Sequence, residues 1–263
     1  MDLSRILDQL TLSGLPDIPL VETGDDLAGL IVESMGRIET TPFEGDILVV
    51  AQKIVSKSEG REVHLKNVTP SAAAYDLSEV VDKDPRLVEV ILGESNEVVQ
   101  HRPGLIIVEN KHGVVLANAG IDMSNVGQGE DDVVLLLPLD PDKSAARLRE
   151  ELSKQTGVNV GVIINDSLGR AFRNGTSGVA LGVSGLPAVT DLSGALDLFG
   201  RALQATQVAV ADELAAAASL LMGQADEGRP VVLVRGFTSE FPEGTSKQLT
   251  REKEEDLFRA GKS

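Results

Sequence analysis

The sequence predicts an α+β fold, with mixed sheets and helices, on three observations. Continuous apolar runs at residues 46–51 and 133–137 read as strands buried on both faces. Helical stretches carry their own start and stop residues. Strands and helices do not alternate regularly, which disfavours a simple parallel doubly wound sheet.

In chain order, residues 25–38 place Leu27, Leu30, Ile31, Met35 and Ile38 at helical spacing behind a Gly-Asp start. Residues 46–51 give the first strand. Asp84-Pro85 opens a helix that should run to about Ser95, with the acid as N-cap and proline in the first turn. Residues 105–109 and 114–117 flank Asn110-Lys111-His112-Gly113 and predict a hairpin. After the strand at 133–137, Asp140-Pro141 opens a helix that Gly157 stops. Residues 158–164 form a strand ending at Asn165-Asp166. An alanine-rich helix is expected over 201–222 and a late strand over 231–234. From Phe237 the composition turns polar and 251–256 is a charge run, so residues 237–263 are expected to be a tail or linker.

Composition removes several function classes. The net charge of −17 argues against a general nucleic-acid binder. The absence of cysteine excludes disulfides, thiolate metal sites and a cysteine nucleophile. Apolar residues are 42% but aromatics only 3%, so the core is built from Val, Leu, Ile and Ala and offers no stacking platform for bases. No apolar run approaches a membrane span, and no signal peptide precedes the first elements; a cytoplasmic protein without a membrane partner is expected.

Three segments place acids or amides beside small residues. In Asn118-Ala119-Gly120-Ile121-Asp122-Met123-Ser124-Asn125, Asp122 and Asn125 can turn toward one ligand, although on this segment alone an Asx turn is the simpler reading. In Asn165-Asp166-Ser167-Leu168-Gly169-Arg170-Ala171-Phe172-Arg173, a strand-end acid and a hydroxyl suit a hard divalent cation. Arg170 and Arg173 there offer bidentate donors to phosphate or carboxylate. Gly223-Gln224-Ala225-Asp226-Glu227-Gly228 is, by itself, a helix end and turn. Lys57 follows the first strand as a candidate phosphate contact. No Walker-type or dinucleotide glycine pattern is present. His64, His101 and His112 stand in polar or loop contexts and read as surface residues.

Nine segments occur together in one order: Leu15-Pro16, Gly24-Asp25-Asp26-Leu27, Gly45-Asp46-Ile47-Leu48-Val49-Val50, Ser56-Lys57-Ser58-Glu59-Gly60-Arg61, residues 117–125, Leu137-Pro138-Leu139-Asp140-Pro141-Asp142, residues 166–173, Ala211-Asp212-Glu213-Leu214-Ala215 and Met222-Gly223. Over residues 12–236 the chain thereby resembles the coenzyme F420-0:L-glutamate ligase family. The resemblance implies a ligase domain over 1–236, in one or two parts, with the family's α+β fold and an intertwined homodimer. It implies a GTP-dependent enzyme using Mg2+ or Mn2+ and stimulated by K+. The substrates would be coenzyme F420-0 or its dehydro form, and L-glutamate.

By position, the resemblance puts Leu15, Pro16, Asp17 and Ile18 at the nucleotide. Gln52, Lys53, Lys57 and Asn125 would contact it as well. Met222, Gly223, Gln224, Ala225, Asp226, Glu227, Gly228 and Arg229 would close over it. Asp122 and Asp166 would hold one metal, and Ser167 and Gln224 a second. Lys57, Arg170 and Arg173 would serve catalysis by adding positive charge. Many family members carry Thr in place of Ser167, and many archaeal ones Glu in place of Gln224; neutral Gln is the weaker ligand for a hard cation. Bacterial relatives often continue into a flavin-binding domain, and Glu254-Glu255-Asp256-Leu257-Phe258 resembles the linker to it. Two other classes fit the residues alone: a metal-dependent nucleotide phosphohydrolase and a non-enzymatic GTP-binding protein.

Overall fold

The computed structural model describes residues 9–123 and 132–256. Its centre is a five-stranded mixed sheet of β1 (Thr11–Gly14), β2 (Ile47–Ala51), β8 (Gly161–Arg170), β9 (Arg173–Ser184) and β12 (Val231–Arg235). The order is β1-β12-β2-β8-β9; β2 and β8 run parallel and every other neighbour is antiparallel. The remaining strands are β3 (Glu62–His64), β4 (Ser95–Arg102), β5 (Leu105–Asn110), β6 (Val115–Ala117), β7 (Val133–Leu135), β10 (Thr190–Asp191) and β11 (Gln207–Val208). Three small antiparallel sheets result, and the α+β expectation is met.

Both faces of the central sheet are covered at its middle, which is why β2, β12 and the first half of β8 are apolar without alternation. Leu48, Val50, Val162, Ile164 and Leu233 pack on one side against α1 (Leu27–Arg37) and α5 (Pro141–Thr156). Ile47, Val49, Ile163, Val232 and Val234 pack on the other against α6 (Val210–Met222). The helix starts follow local chemistry. Asp26 accepts from Gly29 N to cap α1, Asp140 caps α5 with Pro141 in its first turn, and Gly157 ends α5 in the left-handed region.

An insert separates β2 from α5. After α2 (Gln52–Ser58), α3 (Ala72–Val81) and α4 (Pro85–Gly93) cover the β4-β5-β6 sheet around a core of its own, including Leu65, Leu87, Val88, Ile91, Ile106 and Val108. Leu116 of the insert meets Leu137 and Leu181 at the junction with the central layer.

Several elements differ from the sequence reading. The strand expected to stop at Asn165-Asp166 continues to Arg170 and turns back as β9, so 165–175 is a hairpin arm rather than a loop. The alanine-rich helix begins at Val210; residues 192–203 instead fold back on themselves, with Gly194 N donating to Leu203 O and Asp197 N to Arg201 O. Alanine content favoured a helix there, but the backbone finds partners across the excursion. Residues 237–256, expected as a tail, lie against the body: Phe237 and Leu249 pack on the α6 side, and Glu243 pairs with Arg149. Among the described residues no helix is long and apolar enough to cross a membrane.

Candidate functional site

The parallel pair β2–β8 fixes the site. Its last rung joins Ala51 to Asn165, where β2 ends and β8 runs on past it, and it is at this carboxyl edge that open sheets leave a crevice. α2 starts at once with Gln52. On β8 the ladder to β9 slips between Ile164 and Asn165, leaving an extra residue on β9. Side chains alternate across a strand. Asn165 therefore turns to α6, where its Nδ2 donates to Ser219 Oγ at 3.1 Å and lies 3.3 Å from Met222 Sδ. Asp166 turns the other way, toward the insert.

The insert supplies Asp122. Its backbone is pinned twice to Leu135, N to O at 3.0 Å and O to N at 2.9 Å. Its carboxylate accepts from Gln52 Nε2 at 3.0 Å and lies 3.4 Å from Lys53 Nζ. The amide of Gln52 is itself oriented, because its Oε1 accepts from the buried Ser56 hydroxyl at 2.9 Å. Burial raises the pKa of Asp122, and the Lys53 ammonium opposes this. Asp166 is pushed up to about 6, first by burial and then by the neighbouring Asp122 charge. The Ser167 N–H, bonded to Asp166 Oδ1 at 2.8 Å, and Lys53 pull the other way.

A cleft of about 510 Å³ opens over these acids. Ile18, Gln52, Lys53, Lys57, Asp122, Asp166 and Ser167 line it, together with the whole stretch from Met222 to Arg229. That stretch is a compact loop. Gly223 has φ +73°, and a Cβ there would strike the Glu227 carboxyl. Glu227 accepts from Ala225 N at 2.8 Å, and such backbone N–H donation holds its carboxyl below the usual range. Gln224 Nε2 donates to Ser167 Oγ at 2.9 Å, tying the loop to the hairpin arm.

Other expected residues lie elsewhere. Leu15 is fully buried in the core, its N–H bonded to Val231 O. Pro16 and Asp17 lead to the rim; Asp17 takes φ +54° and its carbonyl accepts from Arg37 Nη1 at 2.6 Å. Arg170 and Arg173 face each other at the exposed tip of the β8–β9 arm and do not line the cleft. Asn125 lies outside the described residues. Asn165, Ser219, Leu20 and Val21 line the cleft and were not singled out from sequence. Ser56 had a readable signal, four residues beyond Gln52 on a helix; Asn165 and Ser219, 54 positions apart, had none.

Two carboxylates, a hydroxyl and two amides are hard oxygen donors of the kind Mg2+ and Mn2+ take. The mutual repulsion of Asp122 and Asp166, both only partly exposed, is what a divalent cation would relieve, so the residues fit such an ion. Among the described residues no group of three or more His, Cys, Asp or Glu forms a ready metal cluster, so a cation here would need oxygens from a ligand or water. Lys53, Lys57 and Arg229 supply positive charge around the same space.

Residues 16–236 match the family model for F420-0:gamma-glutamyl ligase. The chain is 48% identical over 252 residues to the coenzyme F420:L-glutamate ligase of Methanothermobacter thermautotrophicus, covering 95% of this chain and 99% of that protein. It is 47% identical over 260 residues to the Methanopyrus kandleri protein of the same name, 94% of this chain and 100% of the other. The Archaeoglobus fulgidus protein so named is 45% identical over 242 residues, 92% of this chain and 93% of its own.

Proposed function

The chain belongs to the F420-0:gamma-glutamyl ligase family and is a ligase, and from that premise we propose that it joins L-glutamate to coenzyme F420-0, or its dehydro form, at the expense of GTP. The observation that carries this reading is the convergence of Asp122 from the insert and Asp166 from the central sheet on one cleft, with Lys53 acting on both.

A carboxylate is a poor electrophile and must be activated before an amine attacks it. The γ-phosphoryl group of GTP passes to the terminal carboxylate of the deazaflavin precursor and GDP leaves. The amino group of glutamate, losing a proton, then attacks the acyl phosphate; the C–O bond to phosphate breaks and an amide remains. Repetition extends a γ-linked tail. Asp122 and Asp166 would hold one Mg2+ or Mn2+, and Ser167 with Gln224 a second. Divalent ions supply charge neutralisation at phosphoryl oxygens.

The chain's own part is positioning and charge. Gln52, fixed by Ser56, keeps Asp122 oriented. Lys53 and Lys57 present ammonium groups to the anionic reactants, against a net charge of −17 that otherwise repels them. Ile18 and the loop from Met222 to Arg229 enclose the nucleotide, with Leu15, Pro16, Asp17 and Asn125 supporting it. Arg170 and Arg173, at the end of the arm, add charge where the acidic precursor enters. K+ stimulation is part of the proposal on the family resemblance alone.

We assign the ligase unit to residues 1–236, with the sheet layer and the insert as its two parts. A homodimer is supported by exposed apolar side chains on two projections, Phe172 at 90% and Leu196, Leu198 and Phe199 at 70–100% exposure. The deciding experiment is mass spectrometry of the deazaflavin after incubation with GTP, Mg2+ and glutamate. A series of products spaced by glutamyl units establishes the activity. Release of GDP without any acceptor would instead favour a phosphohydrolase, and binding without turnover a non-enzymatic GTP-binding protein.

A further inference from the structure

The two acids of the cleft sit on different parts of the molecule, so their spacing depends on how the insert docks. One contact between the parts is made by a third segment. Residues 243–246 are anchored on the central layer: Gly244 N donates to Leu186 O at 2.9 Å, and Ser246 donates from both N and Oγ to Asp142 at 3.0 Å. Seven residues beyond Ser246, Lys253 reaches the insert and pairs with Glu109 at 2.8 Å and Glu97 at 3.6 Å. Between these anchors the Thr250 methyl lies beside Gly113 in the β5–β6 turn.

Glu109 is an unusual anchor. Its side chain is only 5% exposed, and its other oxygen accepts from Asn96 at 3.1 Å. A buried carboxylate left without a counter-charge is costly, so Lys253 is held there more firmly than a surface pair would be. Glu109 on β5 pairs with Val115 on β6, and β6 runs through residues 118–120 directly into Asp122. Ile106 N on β5 is also bonded to Asn118 Oδ1 at 3.4 Å, at the start of that turn.

We propose that residues 237–256 form a strap that fixes the insert against the central sheet and so sets how Asp122 faces Asp166, with Lys253 as a positioning residue. The functional half of this inference rests on the metal-site reading above; the structural half does not.

The test uses the full chain with Lys253→Ala, Lys253→Arg and Glu243→Gln. Glu243→Gln releases an exposed pair at the other anchor and leaves the fold intact. Two readouts are taken: amide hydrogen exchange at Asp122 and Leu135, and the Mg2+ concentration giving half-maximal turnover. Lys253→Ala should speed exchange at both amides and raise the Mg2+ requirement about three-fold or more, with kcat at saturating Mg2+ retained. Lys253→Arg should restore both, and Glu243→Gln should act in the same direction as Lys253→Ala. Unchanged exchange at Asp122 and Leu135 overturns the strap. Faster exchange with an unchanged Mg2+ requirement overturns its link to the acids. Absence of any Mg2+ response in the unmodified protein overturns the metal-site reading, while the exchange result still decides the strap.

Discussion

Gln52 and Asp122, 70 positions apart, meet through a 3.0 Å hydrogen bond that joins the end of a central strand to the insert. Gln52 is 1% exposed, and its Oε1 accepts from the Ser56 hydroxyl, which removes the freedom to flip. The pair forms a rigid corner of the cleft. Replacing Gln52 with Leu keeps the volume near its native value but deprives Asp122 and Ser56 of their partners. A stability loss of about 1–3 kcal/mol is expected, together with a raised Mg2+ requirement. Urea unfolding measures the first and a metal titration of turnover the second; unchanged values in both would mean that this corner does not orient Asp122.

Without a bound cation Asp166 carries a cost, because it is partly buried beside another acid. Asp166→Asn removes that repulsion and keeps the shape. In chelator the variant should unfold at a temperature equal to or above that of the unmodified protein. With Mg2+ the order should reverse: the unmodified protein gains in melting temperature through ligand linkage, and the variant does not. Turnover should fall by a factor of about 100 or more, the scale of losing one electrostatic contact to a phosphoryl transition state. Calorimetry with and without Mg2+ separates the two effects. Equal metal-induced shifts in both proteins would place the cation elsewhere.

The parts legible in the sequence were those governed by neighbours in the chain. The helix α5 is bracketed by Asp140-Pro141 and Gly157, and both signals act within one turn. The β5–β6 hairpin was visible because Asn110 folds its own turn, accepting from His112 N and Val114 N. The β8–β9 arm was not, since Ser167, Gly169 and Gly178 have weak strand preference and are held by cross-strand pairing instead. α2 begins without a side-chain cap, directly from Ala51, so no start residue announced it. Asp122 and Asp166 could each be picked out from spacing and family resemblance. Their meeting depends on docking the insert, which no local pattern encodes. Arg170 and Arg173 looked like cleft residues because they lie close in sequence to Asp166; a continuing strand carries them to its tip.

Two glycines separate packing from backbone propensity. A Cβ at Gly182 would overlap the Pro141 carbonyl at the start of α5, whereas one at Gly36 in α1 meets nothing within 4 Å. Gly182→Ala should therefore destabilise by about 1–3 kcal/mol through overpacking. Gly36→Ala should stabilise by about 0.5–1 kcal/mol, because a solvent-facing helix position gains propensity. Chemical denaturation of the pair gives opposite signs if the close approach of β9 to α5 is real, and matching signs if α5 can shift away.

His112, expected at the surface, is half-buried at the β5–β6 turn. Burial depresses its pKa, against opposing pulls from a bond to the Pro138 carbonyl and from the Glu94 and Asp140 charges. The unfolded chain therefore takes up a proton on this ring at a higher pH than the folded one does. Stability from the neutral ring is fully present above about pH 6.5, the unfolded value. It is lost as pH falls through the folded pKa, with a slope of at most about 1.4 kcal/mol per pH unit for one proton. Comparing unfolding free energies of the unmodified protein and His112→Gln between pH 7.5 and 5 isolates the effect. The unmodified protein should lose more stability over that fall, and parallel curves would show that the ring stays solvated in the fold.

Asp46 and Arg235 make an unequal pair, and the inequality gives a signed prediction. Asp46 has a side chain 3% exposed, at the entry to β2, and accepts from Arg235 Nη2 at 2.7 Å, Arg235 Nε at 2.9 Å and Phe43 N at 2.8 Å. Arg235 is about a third exposed, lies 4.0 Å from the Phe43 ring centroid and also donates to Thr41 O. Deleting the arginine strands a buried carboxylate; neutralising the acid leaves a cation that water can still reach. Arg235→Ala should thus cost about 3 kcal/mol or more. Asp46→Asn should cost less, since its side-chain oxygen can still accept from Phe43 N and the arginine keeps its aromatic and carbonyl contacts. The double variant should lie close to the more damaging single one, because both remove the same interaction. If Asp46→Asn proves the costlier change in denaturant unfolding, the arginine rather than the acid is the group that the fold has desolvated, and the burial order deduced for this corner is reversed.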